Sequence, residues 1–180
     1  MQDICNFGKK RKMKKTLILV RHATAEDHSF LIKDFDRKLN DKGLGESAKM
    51  GEWLAAANIS ADIFVSSPAP RAYQTAEIIA EKLGLNAGQL ISDRDLYDGG
   101  PKAYLNAVNS VSENFSTLML FGHNPDISHF AEYMSGADLG SMKKGSVAII
   151  EFEGLKWEEF SAKTGQLTLY KTPKQVSEAE

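Results

Sequence analysis

Three short runs in this chain are apolar at every position: Leu17-Ile18-Leu19-Val20, Ile63-Phe64-Val65 and Leu118-Met119-Leu120-Phe121. An alternating strand keeps one face in water, whereas a run apolar on both faces belongs inside a parallel sheet covered by helices on each side. Helical periodicity fills the intervals. From Lys42 to Ala57 the positions Leu44, Ala48, Gly51, Leu54 and Ala55 recur at steps of three and four, and from Arg71 to Leu83 so do Tyr73, Ala76, Ala80 and Leu83. Gly84 is a natural stop. Pro101 to Val111 reads as a helix opened by a proline in its first turn, and Pro125 to Met134 as another, with Ile127, Phe130, Ala131 and Met134 on one face and Gly136 closing it. Val147 to Phe152 and Leu167 to Tyr170 read as later strands, and the polar segment from Thr172 onward is expected to fray. Strands alternating with helices predict a three-layer α/β/α sandwich with a mostly parallel sheet.

Composition narrows the setting. A chain of 180 residues has the size of one domain and needs neither disulfides nor a structural metal to hold its core. Its one cysteine, Cys5, can form no internal disulfide and no Cys-rich zinc site, which points to a reducing compartment. No apolar stretch approaches the roughly 20 residues of a membrane helix, so a soluble, cytoplasmic protein with no membrane partner is expected. The net charge of −2 gives no reason to expect nucleic acid as a partner. That average is uneven: Lys9, Lys10, Arg11 and Lys12 against Asp3 give residues 1–12 a balance of +3, which leaves −5 for the rest. Nothing aromatic is interleaved with these charges, so residues 1–12 read as an irregular basic leader. Residues 13–172 then form a single domain and 173–180 a tail. With Cys5 in the leader, the domain contains no thiol, and cysteine-based nucleophilic chemistry drops out.

In open α/β sheets ligands bind beyond the carboxyl ends of the strands. After Val20 come Arg21-His22, after Val65 come Ser66-Ser67-Pro68-Ala69-Pro70-Arg71, and after Phe121 come Gly122-His123-Asn124-Pro125. His28 and His129 are not placed this way. Two arginines and two histidines at three strand ends of one sheet are expected to converge on one oxyanion. Guanidiniums present rigid forks of donors that match phosphate oxygens. Their charge also penalises protonation of a nearby imidazole, and a neutral imidazole is a competent nucleophile toward phosphorus. A second, protonated histidine would add a donor to the oxygens that gather charge, and such a site needs no metal.

These motifs resemble the histidine phosphatase (phosphoglycerate mutase-like) superfamily, and within it the small phosphohistidine phosphatases of the SixA type. Leu19-Val20-Arg21-His22-Ala23 is similar to the family's Arg-His signature, and Arg37-Lys38-Leu39 with Gly43 to its Arg-x-Leu-x-x-x-Gly segment. Ser66-Ser67-Pro68, Arg71-Ala72 and Gln74-Thr75-Ala76 resemble a third element and Gly122-His123-Asn124-Pro125 a fourth, in the family's order over residues 16–135. Ala23 stands where the superfamily's commonest form has glycine, a departure the SixA branch tolerates. The resemblance implies that His22 becomes phosphorylated and that Arg21, Arg71 and His123 complete a phosphate-binding pocket, without metal or cofactor. It also implies a phosphorylated protein as substrate, carrying phosphohistidine, with a small phosphate ester as the alternative. Many relatives place an acid between the second arginine and second histidine; Asp95 and Asp98 are the candidates here, or else two solvated loop carboxylates.

Other readings stay open. A metal-dependent hydrolase would use His123, Asp126 and His129 with His22, yet on a helix starting near Pro125, His129 lies about 200° from Ile127, away from the apolar face. A non-catalytic module that merely binds a phosphorylated ligand would keep the same arginines.

Overall fold

The computed structural model describes residues 13–85 and 89–178. The basic leader and Cys5 lie outside the described residues. Among the described residues six strands form one sheet in the order β3-β2-β4-β1-β5-β6. β1 (Lys14–Arg21), β2 (Ile63–Ser66), β3 (Leu90–Ser92) and β4 (Thr117–Gly122) run parallel, while β5 (Val147–Glu153) and β6 (Gln166–Lys171) are antiparallel additions on the β1 side. The three wholly apolar runs are three of the four interior strands, β2, β4 and β1, and both their faces are covered.

On one face, Ile18, Val20, Phe64, Met119 and Phe121 pack against Met50 and Leu54 of α1 (Asp41–Ala56), Ala76 and Ile79 of α2 (Pro70–Lys82), and Val176 of α6 (Pro173–Ser177). On the other, Leu17, Leu19, Leu118 and Leu120 meet Leu96 of α3 (Asp95–Asp98), Tyr104 and Val108 of α4 (Gly100–Asn109), and Ile127, Phe130 and Met134 of α5 (Asp126–Ser135). Successive residues of each strand thus feed opposite cores, the three-layer sandwich that the sequence predicts.

Local chemistry sets the helix starts. The Asn40 side chain accepts from the Gly43 amide to cap α1, and Pro70 opens α2, placing Arg71 in its first turn. The segment from Thr172 onward does not fray as expected. Thr172 and Gln175 form a reciprocal capping box, Pro173 occupies the first turn, and Val176 is buried against the sheet, so α6 is a packed helix. Asp95 and Asp98 belong to the short helix α3 rather than to a loop. Among the described residues no helix is long and apolar enough to cross a membrane.

Candidate active site

Pairing register brings the predicted residues together. β1 and β4 are adjacent and parallel with Arg21 opposite Gly122, so the next residue of each, His22 and His123, leaves the same edge side by side. The His22 amide donates to the Gly122 carbonyl (3.1 Å), and the Ser67 amide, beyond β2, donates to the Phe121 carbonyl (3.1 Å). The two imidazole rings lie 5.1 Å apart, and both are buried. Arg71 arrives from the first turn of α2 and is 5 % exposed.

The tautomer of His22 follows from its partner. Its Nδ1 lies 2.8 Å from the Ala23 carbonyl oxygen, which can only accept, so the proton sits on Nδ1 and the Nε2 lone pair is free. Burial is the largest influence on the ring and pushes its pKa down to about 3, with His123 and then Arg71 and Arg21 adding to the shift against the Ala23 bond. The guanidiniums, expected to keep this ring neutral, contribute, but desolvation outweighs them. His123 is pushed down to about 4, again first by burial and then by Arg71, with Asp34 pulling the other way. Its Nε2 lies 2.8 Å from Ser67 Oγ, and its Nδ1 is buried without a partner among the described residues.

Nε of Arg21 and Nε of Arg71 are, like the Ser146 hydroxyl, buried donors that lack an acceptor among the described residues. Buried donors are normally paired, and an oxyanion held between the two guanidiniums and His123 would satisfy the two Nε–H groups. Arg21 is held by its Nη1 donating to the Met142 carbonyl (2.6 Å). Asn124, in the fourth motif, donates to the same carbonyl (3.1 Å) and to Ser141 Oγ (2.8 Å), so the residue after His123 also fixes the support of Arg21.

Residues of the third motif support the first two. Thr75 Oγ1 accepts from the Ala23 amide (3.2 Å), and Gln74 Oε1 accepts from the Leu39 amide (2.9 Å). A Cβ at Gly43 would collide with the Thr24 carbonyl oxygen, and one at Gly122 with the Tyr104 hydroxyl. That hydroxyl accepts from the His123 amide (3.0 Å), so the glycine lets α4 brace the second histidine.

Sequence reasoning missed Asp34 and Tyr97. Arg71 donates through Nη1 to the Asp34 carbonyl (2.5 Å) and through Nη2 to its carboxylate (2.9 Å). Against the upward pull of partial burial, the bond from Arg37 and the charge of Arg71 hold the Asp34 carboxyl down at about 2. Tyr97 donates to the same carboxylate (3.2 Å) and stands edge-on to His123 with ring centres 5.5 Å apart. Asp95 and Asp98 are exposed, while the residues between them, Leu96 and Tyr97, face inward. No signal in the sequence marked Asp34, because a long connection carries it back to Arg71. His28 and His129 are exposed and apart from the buried pair, and among the described residues no cluster of three metal-ligating side chains gathers.

The buried histidines carry a pH consequence. An unfolded chain protonates both near pH 6.5, the folded one only near pH 4 and pH 3. Between those limits the unfolded state binds more protons, so stability present above pH 6.5 is lost as the pH falls, by up to about 1.4 kcal/mol per histidine per pH unit. Urea midpoints measured from pH 7.5 to pH 4.5 are expected to fall accordingly, and to fall less steeply in His22→Ala or His123→Ala. Parallel slopes in wild type and variants would contradict the burial of neutral rings.

A family model described as the histidine phosphatase superfamily (branch 1) matches residues 17–98. An uncharacterised chloroplastic protein of Arabidopsis thaliana is 28 % identical over 159 residues, covering 84 % of this chain and 72 % of that one. The structure of a putative phosphohistidine phosphatase SixA from Nakamurella multipartitia superposes with a TM-score of 0.70 at 26 % identity, covering 89 % of this chain and 96 % of that one. A protein histidine phosphatase SixA complexed with tungstate superposes with a TM-score of 0.77 at 19 % identity, over 89 % and 99 % of the two chains.

Proposed function

We propose that this chain, whose residues 17–98 match the histidine phosphatase superfamily model and whose fold is SixA-like, is a metal-independent phosphatase of that superfamily that removes phosphate from phosphohistidine on a protein. In this reading Arg21, Arg71 and His123 bind the phosphoryl oxygens, and Nε2 of His22 attacks phosphorus in line with the leaving group. The substrate ring carries a proton on its other nitrogen, so that as the P–N bond to His22 forms the P–N bond to the substrate breaks and the substrate departs as neutral imidazole, with no further proton required. Water then attacks the phosphorus of phospho-His22, releasing inorganic phosphate and restoring the free ring. An incoming phosphate would raise the pKa of His123, so that its Nδ1–H donates to the oxygens where charge collects. A protein histidine phosphatase SixA of the same fold is complexed with tungstate, a tetrahedral oxyanion, in keeping with this reading.

One observation carries the substrate class. The carboxylate bonded to Arg71 is Asp34, held at about 2 and therefore unprotonated at neutral pH, while Asp95 and Asp98 face solvent. A site without a proton-bearing carboxyl suits a leaving group that departs without a strong general acid. Imidazole, with a pKa of about 6.5, leaves far more readily than an alkoxide whose parent hydroxyl ionises near the value of about 15.7 for water.

Turnover of a phosphohistidine protein and of a panel of aryl, sugar and glycerate phosphates, measured in EDTA, tests this. The expected result is a kcat/KM on phosphohistidine that exceeds that on every alkyl ester by about 10²-fold or more. Preference for an alkyl ester would move the substrate to a small phosphate ester. Binding without turnover of any of them would leave a phospho-ligand binding module.

A further inference from the structure

Beside Arg21 a cavity of about 690 Å³ opens between the segment after Met142, the start of α1 and α6, and its walls include Lys42, Lys143, Lys144 and Lys174 with Glu46 and Glu178. The segment is fixed to the candidate phosphate site by backbone. The Gly145 amide donates to the Arg21 and His22 carbonyls, each at 3.1 Å, and Met142 supplies the carbonyl that holds the Arg21 guanidinium. A displacement of one or two residues along the chain from Gly145 reaches Lys144 and Lys143.

The carboxylates in the wall are already engaged. Glu46 accepts from the Thr24 amide (2.9 Å) and hydroxyl (2.7 Å), and Glu178 stands 3.6 Å from Lys174. Lys143 and Lys144 are exposed, and among the described residues neither pairs with a carboxylate. The cavity wall thus carries a local cationic excess, although the chain outside residues 1–12 has a balance of −5.

We propose that this groove selects protein substrates whose phosphorylated side chain is flanked by acidic residues, with Lys143 and Lys144 as the specificity-determining contacts. The inference rests on the reading of the site as a protein phosphohistidine phosphatase. The type of cation decides between an acidic chain and a second fixed phosphate. Buried arginines with fixed forks suit a tetrahedral group at one position, as at Arg21 and Arg71. Exposed lysines are mobile point charges that meet carboxylates at varied positions along a flexible segment.

The test uses two synthetic phosphohistidine peptides, one flanked by glutamates and one by glutamines, with wild-type protein and the K143Q/K144Q variant. At low ionic strength the wild type is expected to favour the glutamate peptide in kcat/KM by roughly three- to tenfold, the effect of a few exposed ion pairs. The variant should abolish this preference while leaving the glutamine peptide unchanged, and high salt should abolish the preference in the wild type. Equal handling of both peptides by the wild type, a preference that persists in the variant, or a variant that loses both peptides alike would overturn the inference. Wild-type protein that hydrolyses neither peptide yet hydrolyses a small ester would instead overturn the underlying reading, and the inference with it.

Discussion

Replacing His22 by alanine is expected to reduce kcat on any phosphorylated substrate by at least about 10⁴-fold, because the reaction then loses its covalent route and not merely a contact. Binding should largely persist. Arg21 keeps its anchor on the Met142 carbonyl, Arg71 keeps its bonds to Asp34, and His123 keeps its contact with Ser67, none of which passes through the His22 ring. Inorganic phosphate or vanadate, titrated against the variant and followed by the shift of the thermal midpoint, is therefore expected to bind within a few-fold of wild type. A parallel loss of turnover and oxyanion binding would mean that His22 serves the pocket's shape. Turnover that survives the substitution would remove it from the chemistry.

The second large effect is expected at Arg71. Arg71→Ala should lower kcat/KM by about 10²–10³-fold, the usual consequence of deleting a preorganised donor to developing charge. Arg71→Lys should recover only part of it, since an ammonium restores charge but not the fork. The fold is expected to survive, because the Asp34 carboxylate that loses its partner is 44 % exposed and water replaces the guanidinium there. A second readout separates electrostatics from packing. Arg71 is among the groups that depress both histidines, so its removal should raise the pKa of His123 as followed by imidazole proton shifts in NMR. An unchanged His123 titration would show that Arg71 does not face the ring as described.

The central strands were readable because both of their faces are buried, which leaves no polar position to blur the pattern. The residues just past them were readable because a parallel sheet delivers its strand ends to one edge, and the register of Arg21 against Gly122 is what makes His22 and His123 neighbours. β3 was not readable: it has three residues at the sheet edge, two of them exposed, and so shows no apolar run. α6 was missed although its signal was present, since Thr172-Pro173-Lys174-Gln175 has the form of a capping box with proline in the first turn. Asp34 and Tyr97 left no local trace. Asp34 sits in a single 3-10 turn between β1 and α1, and Tyr97 in a four-residue helix, and only the tertiary fold brings both to Arg71 and His123. Asn124 lies in the fourth motif, but its work in holding the support of Arg21 depends on the Met142 carbonyl, which only the fold brings to it.

The central claim is that phosphate passes through a covalent bond to His22. It is tested most directly by mixing the protein with a ³²P-labelled phosphohistidine protein, quenching within the first turnover, and locating the label by digestion. The expected result is a label that is lost in acid, stable in alkali, carried by the peptide containing His22 and absent from His22→Ala. Turnover that proceeds with no label on that peptide, or with the label on another residue, would contradict it.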